Sequence, residues 1–356
     1  MLRPFGKNTA MAGGNRMRGA PLAFSGGLWA TNLIDVSTDP QCLERAGRWM
    51  VVLPFSGPAT FLRFQTWSAD PPEGLVGPFV GPDRGAWGSS CTRAEYVQAV
   101  QTVQEAIAAG SVYQANVCRV LRAPLPDVDR ADVAGLAMLL AQGNPAPYLT
   151  MVRAPEIDLA IASASPELFL RRTGSQLLTG PIKGTAPTLD QMQEKDRAEN
   201  VMIVDLMRND LARVCEPGSI DVPHLLEPQE HPGLVHLVST VGGDLRVGMG
   251  WPDILTATFP PGSVTGAPKI AALRIIKDIE RAAREVYCGA IGWVDADSGE
   301  GSLAVAIRTF WVRADHLHFG TGAGITWSSD PHAEWRETEL KADRLLDVAS
   351  RSYDQS

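Results

Sequence analysis

The chain has 356 residues, a formal net charge of −8, 45% hydrophobic and 20% charged residues, which is typical of a globular protein with a sizeable core. The acidic balance disfavours nucleic acid as a main partner, because phosphate binding requires a basic face. Its five scattered cysteines form no CxxC pair, which favours a reducing compartment. No run reaches the roughly 20 apolar residues of a membrane span. We therefore expect a cytoplasmic protein that binds neither nucleic acid nor membrane.

Composition divides the chain into three parts. Residues 1–20 contain basic residues with no apolar run after them, which predicts a disordered tail rather than a secretory signal. Residues 21–90 contain strand-like runs and a short helix, followed by a loop rich in proline and glycine between Ser68 and Ser90. We place the main boundary in that loop, so that residues 91–356 form the principal domain.

The first elements of the principal domain follow local signals. The pattern Thr92-x-x-Glu95 is a capping box that begins a helix, and Gly110 is a helix stop. Further along, we predict strands at 160–165 and 168–171, a turn in the sequence PIKGT, and a helix at 191–214. Another helix is expected after Gly266, with Pro268 in its first turn.

The last third of the chain predicts strands followed by a helix. We expect the strands at 287–294, 303–312 and 317–320, then a glycine-rich turn and a helix from Asp330-Pro331 to about residue 350. Because strands and helices mix without regular βαβ alternation, a simple doubly wound fold is disfavoured.

The final helix contains a stripe of charged residues. Glu334, Glu337 and Lys341 lie at i, i+3 and i+7, so their side chains project from one face. The two carboxylates would suit a hard cation such as Mg²⁺, which takes oxygen ligands and retains waters. The alternative is a solvated helix face with an ordinary ion pair between Glu337 and Lys341.

A second acidic pair precedes an apolar run. Asp196 and Glu199 also share one helix face, and the residues Val201–Val204 indicate that this helix becomes buried just beyond them. By themselves these acids are also compatible with a surface turn. Two such helices meeting would supply carboxylates around one metal ion.

Three further segments are weak signals when taken singly. Phe319–Gly324 is glycine-rich and resembles turns whose backbone N–H groups bind an anion, although a hairpin turn is the alternative. Lys183 lies in the PIKGT turn and Glu167 follows Ser165-Pro166. Each is compatible with an ordinary solvated residue.

Together the motifs resemble the chorismate-utilising enzymes. The segments ASASPELFL, PIKGT, DRAENVMIVDLMRNDLARV, HLVSTV, FPPGSVTGAPK, YCGAIGWV, AIRTF, GAGI and AEWRETELKA occur in the order found in that family, across roughly residues 91–350. Within the family, PIKGT resembles aminodeoxychorismate synthase component I. The resemblance implies an α+β fold with two orthogonally packed β-sheets covered by helices, and an active site between them. It also implies that residues 91–356 are the chorismate-binding catalytic domain and that 21–90 are a shortened amino-terminal region.

The resemblance also implies a set of site residues. Glu199 and Glu337 resemble direct Mg²⁺ ligands, and Asp196 and Glu334 resemble residues that hold its waters. Further positions resemble those that bind chorismate: Gly184, Thr185, His236, Thr265, Tyr287, Arg308, Gly322, Ala323, Gly324 and Lys341.

The reaction implied is the amination of chorismate to 4-amino-4-deoxychorismate, for 4-aminobenzoate and folate biosynthesis. Lys183 would be the nucleophile and Glu167 would transfer protons. Since this sequence contains no glutaminase region, ammonia is expected from a glutamine amidotransferase subunit. The alternatives are an anthranilate or isochorismate synthase and, from another class, a catalytically silent paralogue that binds chorismate or a partner.

Overall fold

The computed structural model describes residues 19–186, 188–192, 194–231 and 234–354. The tail predicted for residues 1–20 lies outside this range except for its last two residues. No helix in the described part of the chain combines the length and apolar character needed to cross a bilayer.

The described residues form α-helices and antiparallel strands. The helices are α1 (Arg93–Ala108), α2 (Val133–Gly143), α3 (Glu194–Ala212), α4 (Trp251–Thr258), α5 (Lys269–Ile279) and α6 (Pro331–Ala349). The strands are β1 (Leu22–Ser25), β2 (Leu28–Ser37), β3 (Arg48–Leu53), β4 (Thr60–Ser68), β5 (Phe79–Val80), β6 (Gly88–Ser89), β7 (Gln114–Pro124), β8 (Tyr148–Ala154), β9 (Leu159–Ser165), β10 (Leu168–Thr173), β11 (Gln176–Gly180), β12 (Ile182–Ala186), β13 (Asp221–His231), β14 (Leu234–Asp244), β15 (Gly266–Ala267), β16 (Ala290–Asp295), β17 (Gly301–Val305), β18 (Thr309–Arg313), β19 (His316–Ile325) and β20 (Ser352–Tyr353).

The long strands pair in two groups. The first sheet has the order β7-β19-β18-β9-β8-β1-β2, with the short strands β6 and β15 along the outer edge of β7. The second sheet has the order β4-β3-β16-β17-β10-β11-β14-β13, with β12 also paired to β14. Pairing of β2 with β4 joins the two sheets. The predicted α+β class with two sheets is confirmed.

The central core lies between these sheets. It contains buried residues of the first sheet, such as Val152 and Ile161, together with Val51, Ile291 and Leu303 of the second. On the outside of the first sheet, α2 and α6 cover a separate apolar cluster, and α1 and α5 cover another beside β7 and β19. Helices therefore cover the sheet, and apolar burial supplies the main driving force for this layering.

The chain passes between the two sheets at two places that matter for function. Glu167 lies between β9 of the first sheet and β10 of the second, and Arg308 lies between β17 of the second and β18 of the first. Backbone hydrogen bonds fix both crossings, from Val305 N to the Glu167 carbonyl at 3.0 Å and from Ala164 N to the Arg308 carbonyl at 3.0 Å. Both side chains therefore begin at the junction of the sheets.

Helix ends follow the local prediction closely. Thr92 and Glu95 form the reciprocal capping box at the start of α1, and Asp330 caps α6 with Pro331 in its first position. Helix α3 begins at Glu194, three residues later than predicted, because residues 189–191 form a short 3-10 turn. Pro268 is the residue that precedes α5.

Several strand predictions were wrong in their boundaries. The single strand predicted at 303–312 is two strands, because Arg308 has a φ of 51° and breaks the extended chain. The strand predicted from residue 287 begins at Ala290, after Cys288 with a φ of 65°. The predicted turns in PIKGT and in the glycine-rich segment are parts of strands β12 and β19.

Candidate active site

The glycine-rich end of β19 has an edge that no described strand pairs with. Its glycines Gly322 and Gly324 stand opposite Cys118 and Asn116 of β7. The N–H groups of those two β7 residues donate away from β19, to the Glu280 carboxylate at 2.9 Å and the Thr265 carbonyl at 2.8 Å.

Opposed residues in an antiparallel pair point their backbone groups either toward or away from each other. The N–H groups of Gly322 and Gly324 therefore also point away from β7, toward the edge that β18 leaves beyond Phe319. The Gly322 carbonyl on this edge accepts a hydrogen bond from Lys341 Nζ at 3.2 Å. A strand edge with free N–H groups beside an ammonium can bind a carboxylate.

The glycines of β19 also leave room for neighbouring side chains. A Cβ at Gly320 would collide with the ring of Tyr287, and one at Gly322 would lie 2.6 Å from Cys118 Sγ. A Cβ at Gly324 would collide with the amide of Gln114. The alternation of a strand puts these three contacts on one face, while Ala323 faces the helices and packs in the cluster beneath α1 and α5.

Lys183 and Glu167 converge on Ser263. Lys183 Nζ donates to the Ser263 carbonyl at 2.9 Å, and the side chain of Ser263 hydrogen-bonds to Glu167. Lys183 and Gly184 lie in a bulge of β12, where Gly184 has a φ of 85° that favours glycine. The bulge separates Lys183 from the regular ladder, and Glu167 is 4% exposed.

Burial raises the pKa of Glu167 above its ordinary value, although the Ser263 hydrogen bond and the positive charge of Lys183 lower it in part. Its Oε1 has no hydrogen-bond partner among the described residues. The carboxyl group therefore keeps its proton to a higher pH than an exposed glutamate, and one oxygen is available to a ligand.

Two more cations face this carboxyl group. Burial lowers the pKa of Arg308, and the carboxylate of Glu167 partly reverses this effect. Lys341 also acts on Glu167, and its own pKa is raised because the carboxylates of Glu337 and Glu334 outweigh the desolvation that opposes its charge. Lys341 remains 50% exposed, so its 2.6 Å ion pair with Glu337 is worth less than about 1 kcal/mol. The region is suited to a dianionic ligand.

The predicted metal ligands occupy two helices. Glu334, which is 4% exposed, and Glu337 lie one turn apart on α6, and Glu199 lies on α3. The adjacent Asn200 anchors α3 through a 3.1 Å hydrogen bond to the Leu237 carbonyl.

The side chain of Asp196 lies outside the described residues. Among the described side chains, no group of three or more acidic, histidine or cysteine residues is placed to hold one metal ion. The carboxylate oxygens of Glu334 and Glu337 nevertheless match the ligand preference of Mg²⁺, so these residues could hold part of such a site.

The remaining predicted residues lie along the strands that border Lys183. Thr185 of β12 stands opposite His236 of β14, and His236 is 2% exposed. Thr265 is fully buried, and its hydroxyl donates to the carbonyls of Pro261 and Gly262, each at 3.1 Å. Its carbonyl accepts a hydrogen bond from Asn116 N, which places Thr265 along the outer edge of β7, on the side away from β19.

Four residues beside this site were missed in the sequence. Ser263 links Lys183 and Glu167, and Arg284 donates to the carbonyls of Val264 and Asn116 at 2.8 and 3.0 Å. Gln114 and Asn116 are buried amides with unpartnered polar atoms. The pattern of polar residues at alternate positions of an otherwise apolar strand could have indicated Gln114 and Asn116 from the sequence.

Comparison with known proteins places these features in a family. Residues 72–347 match the family described as chorismate binding enzyme. The anthranilate synthase component 1 1 of Haloarcula marismortui is 38% identical over 289 residues, covering 77% of this chain and 57% of the relative. The aminodeoxychorismate synthase component 1 of Klebsiella aerogenes is 38% identical over 273 residues, covering 73% of this chain and 59% of the relative. The chain thus spans less than two thirds of the length of these relatives.

Solved structures agree in fold. Anthranilate synthase component I from Streptococcus pneumoniae superposes with a TM-score of 0.74 at 23% identity, covering 97% of this chain and 95% of that one. A 2,3-dihydroxybenzoate-specific isochorismate synthase from Bacillus anthracis gives a TM-score of 0.75 at 22% identity, covering 93% and 94%. At this identity the likeness is one of fold. Because the family match extends over most of the sequence, the chain belongs to the chorismate binding enzyme family.

Proposed function

We propose that the chain aminates chorismate to 4-amino-4-deoxychorismate, as an aminodeoxychorismate synthase component I. The observation that carries this proposal is the convergence of Lys183 and Glu167 on Ser263. It brings a primary amine and a carboxyl group with a raised pKa to the same point. A nucleophile beside a proton donor is what the displacement of a hydroxyl group requires.

The proposed reaction has two displacements. Lys183, once deprotonated to the amine, attacks C2 of the ring, both ring double bonds shift, and the C4 hydroxyl leaves as water with the proton of Glu167. Ammonia then attacks C4, both double bonds shift back, and the C2–N bond to Lys183 breaks. Glu167 takes a proton from the incoming nitrogen, which restores its acid form, and Lys183 is released as the amine.

The same region would orient the substrate. In this proposal the side-chain carboxylate of chorismate lies against Arg308, Tyr287 and the free N–H groups of Gly322 and Gly324. A Mg²⁺ ion held by Glu199 and Glu337, with Glu334 and Asp196 around its waters, would neutralise the ring carboxylate. Residues 91–356 then form the catalytic domain, and residues 21–90 contribute strands to both sheets.

Ammonia would come from a glutamine amidotransferase subunit. The relatives of this chain that are named component 1 support a separate second component. Isolated protein should therefore use ammonium salts and ignore glutamine. Turnover of glutamine by the pure chain would contradict this assignment.

Anthranilate synthase is the second candidate, because relatives with that name are equally similar at 38% identity. A third is an isochorismate synthase, in which Lys183 would act as a base toward water. The products distinguish all three when chorismate, Mg²⁺ and an ammonium salt are incubated with the protein. Formation of anthranilate or isochorismate in place of 4-amino-4-deoxychorismate would refute the proposal.

Mass spectrometry tests the role of Lys183 directly. With chorismate and Mg²⁺ but no ammonia, we expect an adduct of chorismate minus water on the peptide containing Lys183. Lys183→Arg keeps the positive charge but cannot readily attack, since its guanidinium stays protonated, and should form no adduct. Lys277→Arg, at an exposed position in the last turn of α5, is the matched control and should behave as the wild type. Absence of adduct on the wild-type protein would refute the nucleophilic role.

A further inference from the structure

Two cysteines from distant parts of the chain lie next to each other in the core between the sheets. Cys118 belongs to β7 and Cys288 precedes β16, and their Sγ atoms are 4.0 Å apart, within hydrogen-bonding distance for sulfur. Both are free thiols, and Cys118 is 7% exposed whereas Cys288 is 0% exposed. The proposed reaction uses neither thiol, so the pair is available for other chemistry.

The cysteine pair borders the surface that is proposed to bind chorismate. A Cβ at Gly322 would lie 2.6 Å from Cys118 Sγ, so this sulfur packs directly against the glycine-rich end of β19. Cys288 follows Tyr287, whose ring fills the space that a side chain at Gly320 would need. A change in the distance between the two sulfurs would therefore displace groups that are proposed to contact the side-chain carboxylate of the substrate.

The two thiols differ in acidity. Burial raises the pKa of Cys118 well above its ordinary value, so this thiol keeps its proton. Burial would raise the pKa of Cys288 as well, but the hydrogen bond from Cys118 and the positive charge of Arg284 outweigh it and lower that pKa. Because the thiolate is the reactive form of cysteine, Cys288 is the better nucleophile of the pair. A thiolate and a thiol at this distance can form a disulfide in two steps.

The backbone around both cysteines is fixed by hydrogen bonds. Cys288 N donates to the Ala306 carbonyl at 2.9 Å, and Cys118 N donates to the Glu280 carboxylate at 2.9 Å. A disulfide holds its sulfurs about 2.05 Å apart, so each sulfur would have to move by about 1 Å from its present position. Displacements of about 1 Å at a substrate site can lower turnover by about 100-fold. Oxidation of the pair should therefore impair the site.

From this geometry we propose that a hydroperoxide oxidises Cys118 and Cys288 to a reversible disulfide, and that this bond weakens chorismate binding. With hydrogen peroxide, the Cys288 thiolate attacks one oxygen and the O–O bond breaks. Cys288 becomes a sulfenic acid, and the departing hydroxide takes up the proton that Cys288 had released. The sulfur of Cys118 then attacks the sulfenic sulfur, the S–O bond breaks, and the hydroxyl leaves as water with the Cys118 proton. Two thiols are oxidised to one disulfide, and one peroxide is reduced to two waters.

The disulfide and its effect depend on different parts of the structure. Formation of the bond depends only on the two neighbouring thiols and is independent of the product that the protein makes from chorismate. Its effect on the substrate rests on the proposed function, in which chorismate lies along the glycine-rich end of β19. A hydroperoxide would reach Cys118 from that same side, because the sulfur packs against Gly322 there. Bound chorismate should therefore slow the oxidation.

Peptide mass spectrometry of the full chain tests the bond. Reduced protein is treated with hydrogen peroxide, the remaining thiols are alkylated, and the chain is digested without a reductant. We expect the wild type to yield a crosslinked peptide pair that contains Cys118 and Cys288 and that dithiothreitol separates. Cys118→Ser and Cys288→Ser should yield no such pair. Cys42→Ser, which removes another cysteine that is 0% exposed, is the matched control and should yield the crosslink as the wild type does.

Turnover and binding of chorismate measure the consequence of the bond. Oxidised wild type should lose at least about tenfold in kcat/KM for chorismate, and dithiothreitol should restore the activity. Each serine variant, compared with its own untreated sample, should keep most of its activity through the same treatment. Chorismate and Mg²⁺ present during oxidation should slow the crosslinking of the wild type. Should a serine variant fail to fold, the alanine variant at the same position serves the same test.

The outcomes separate this inference from the proposed function. Absence of the crosslink from peroxide-treated wild type would overturn the inference, and so would a crosslink that leaves chorismate binding and turnover unchanged. Equal losses of activity in the wild type and the serine variants would overturn it too, because another oxidised residue would then be responsible. If the untreated protein makes a different product from chorismate, the proposed function fails, whereas the crosslink and its effect on the Kd for chorismate still decide the inference.

Discussion

Replacing the buried arginine Arg284 should destabilise the protein strongly and loosen the site. The side chain is 1% exposed and forms two hydrogen bonds to the Glu280 carboxylate, at 2.8 and 2.6 Å. It also donates to the carbonyls of Val264 and Asn116. One guanidinium therefore joins the end of α5, the segment after Ser263 and the start of β7.

The structure indicates the size of the effect. Arg284→Met removes the counter-ion of Glu280, whose side chain is only 7% exposed, and leaves the Cys118 N–H donating to it at 2.9 Å. Breaking a buried ion pair in this way typically costs about 3–5 kcal/mol. Two carbonyls also lose a donor, which moves the expected loss toward the upper part of that range.

The double variant Glu280→Met/Arg284→Met isolates the ion pair. Because this variant removes both charges, neither is left buried without its partner. The double variant should therefore lose at least about 2 kcal/mol less stability than the sum of the losses of the two single variants. The free energy of unfolding is measured by urea denaturation, with tryptophan fluorescence and far-UV circular dichroism as independent probes.

The neighbouring Arg281→Met is the matched control. Its side chain is 66% exposed and lies 3.7 Å from Glu95, so its loss should cost less than about 1 kcal/mol. Equal losses for the two arginine variants would refute the reasoning. So would a double variant whose cost equals the sum of the two single costs.

Three other substitutions test separate parts of the site. Glu167→Gln should become progressively more stable relative to wild type as the pH rises above about 4.3, the ordinary pKa of a glutamate. Burial raises the pKa of Glu167 in the folded protein, so the carboxyl group of the unfolded wild type ionises at a lower pH than that of the folded one. A stability difference between the two proteins that stays constant from acid to neutral pH, measured by denaturation, would contradict this. Gly320→Ala should lower the free energy of unfolding by about 1–3 kcal/mol and weaken chorismate binding, because the added methyl group collides with Tyr287. In the control Gly85→Ala the methyl group meets only Asp83 Oδ1, at 3.7 Å, so this variant should be nearly neutral in the same assay. Glu337→Gln should weaken Mg²⁺ and chorismate binding together, and calorimetry that finds chorismate affinity insensitive to a chelator would exclude the proposed metal site.

The sequence alone predicted the features that depend on neighbouring residues. The capping box of Thr92 and Glu95 and the start of α6 at Asp330 were correct, because a helix end is satisfied by side chains within three residues. The ordered motifs indicated the family and its α+β fold, which the comparison confirms. The identities of the site residues stay predictions, although Lys183 and Glu167 do approach a common residue.

Tertiary structure decided the features in which distant segments meet. The strand break at Arg308 occurs where the chain passes from one sheet to the other, and apolar periodicity continues through that point. The glycines of β19 resemble a turn in sequence, yet pairing with β7 keeps them extended. The raised pKa of Glu167 and the unpartnered amide of Gln114 arise from burial between sheets, and burial is set by contacts between segments far apart in the chain.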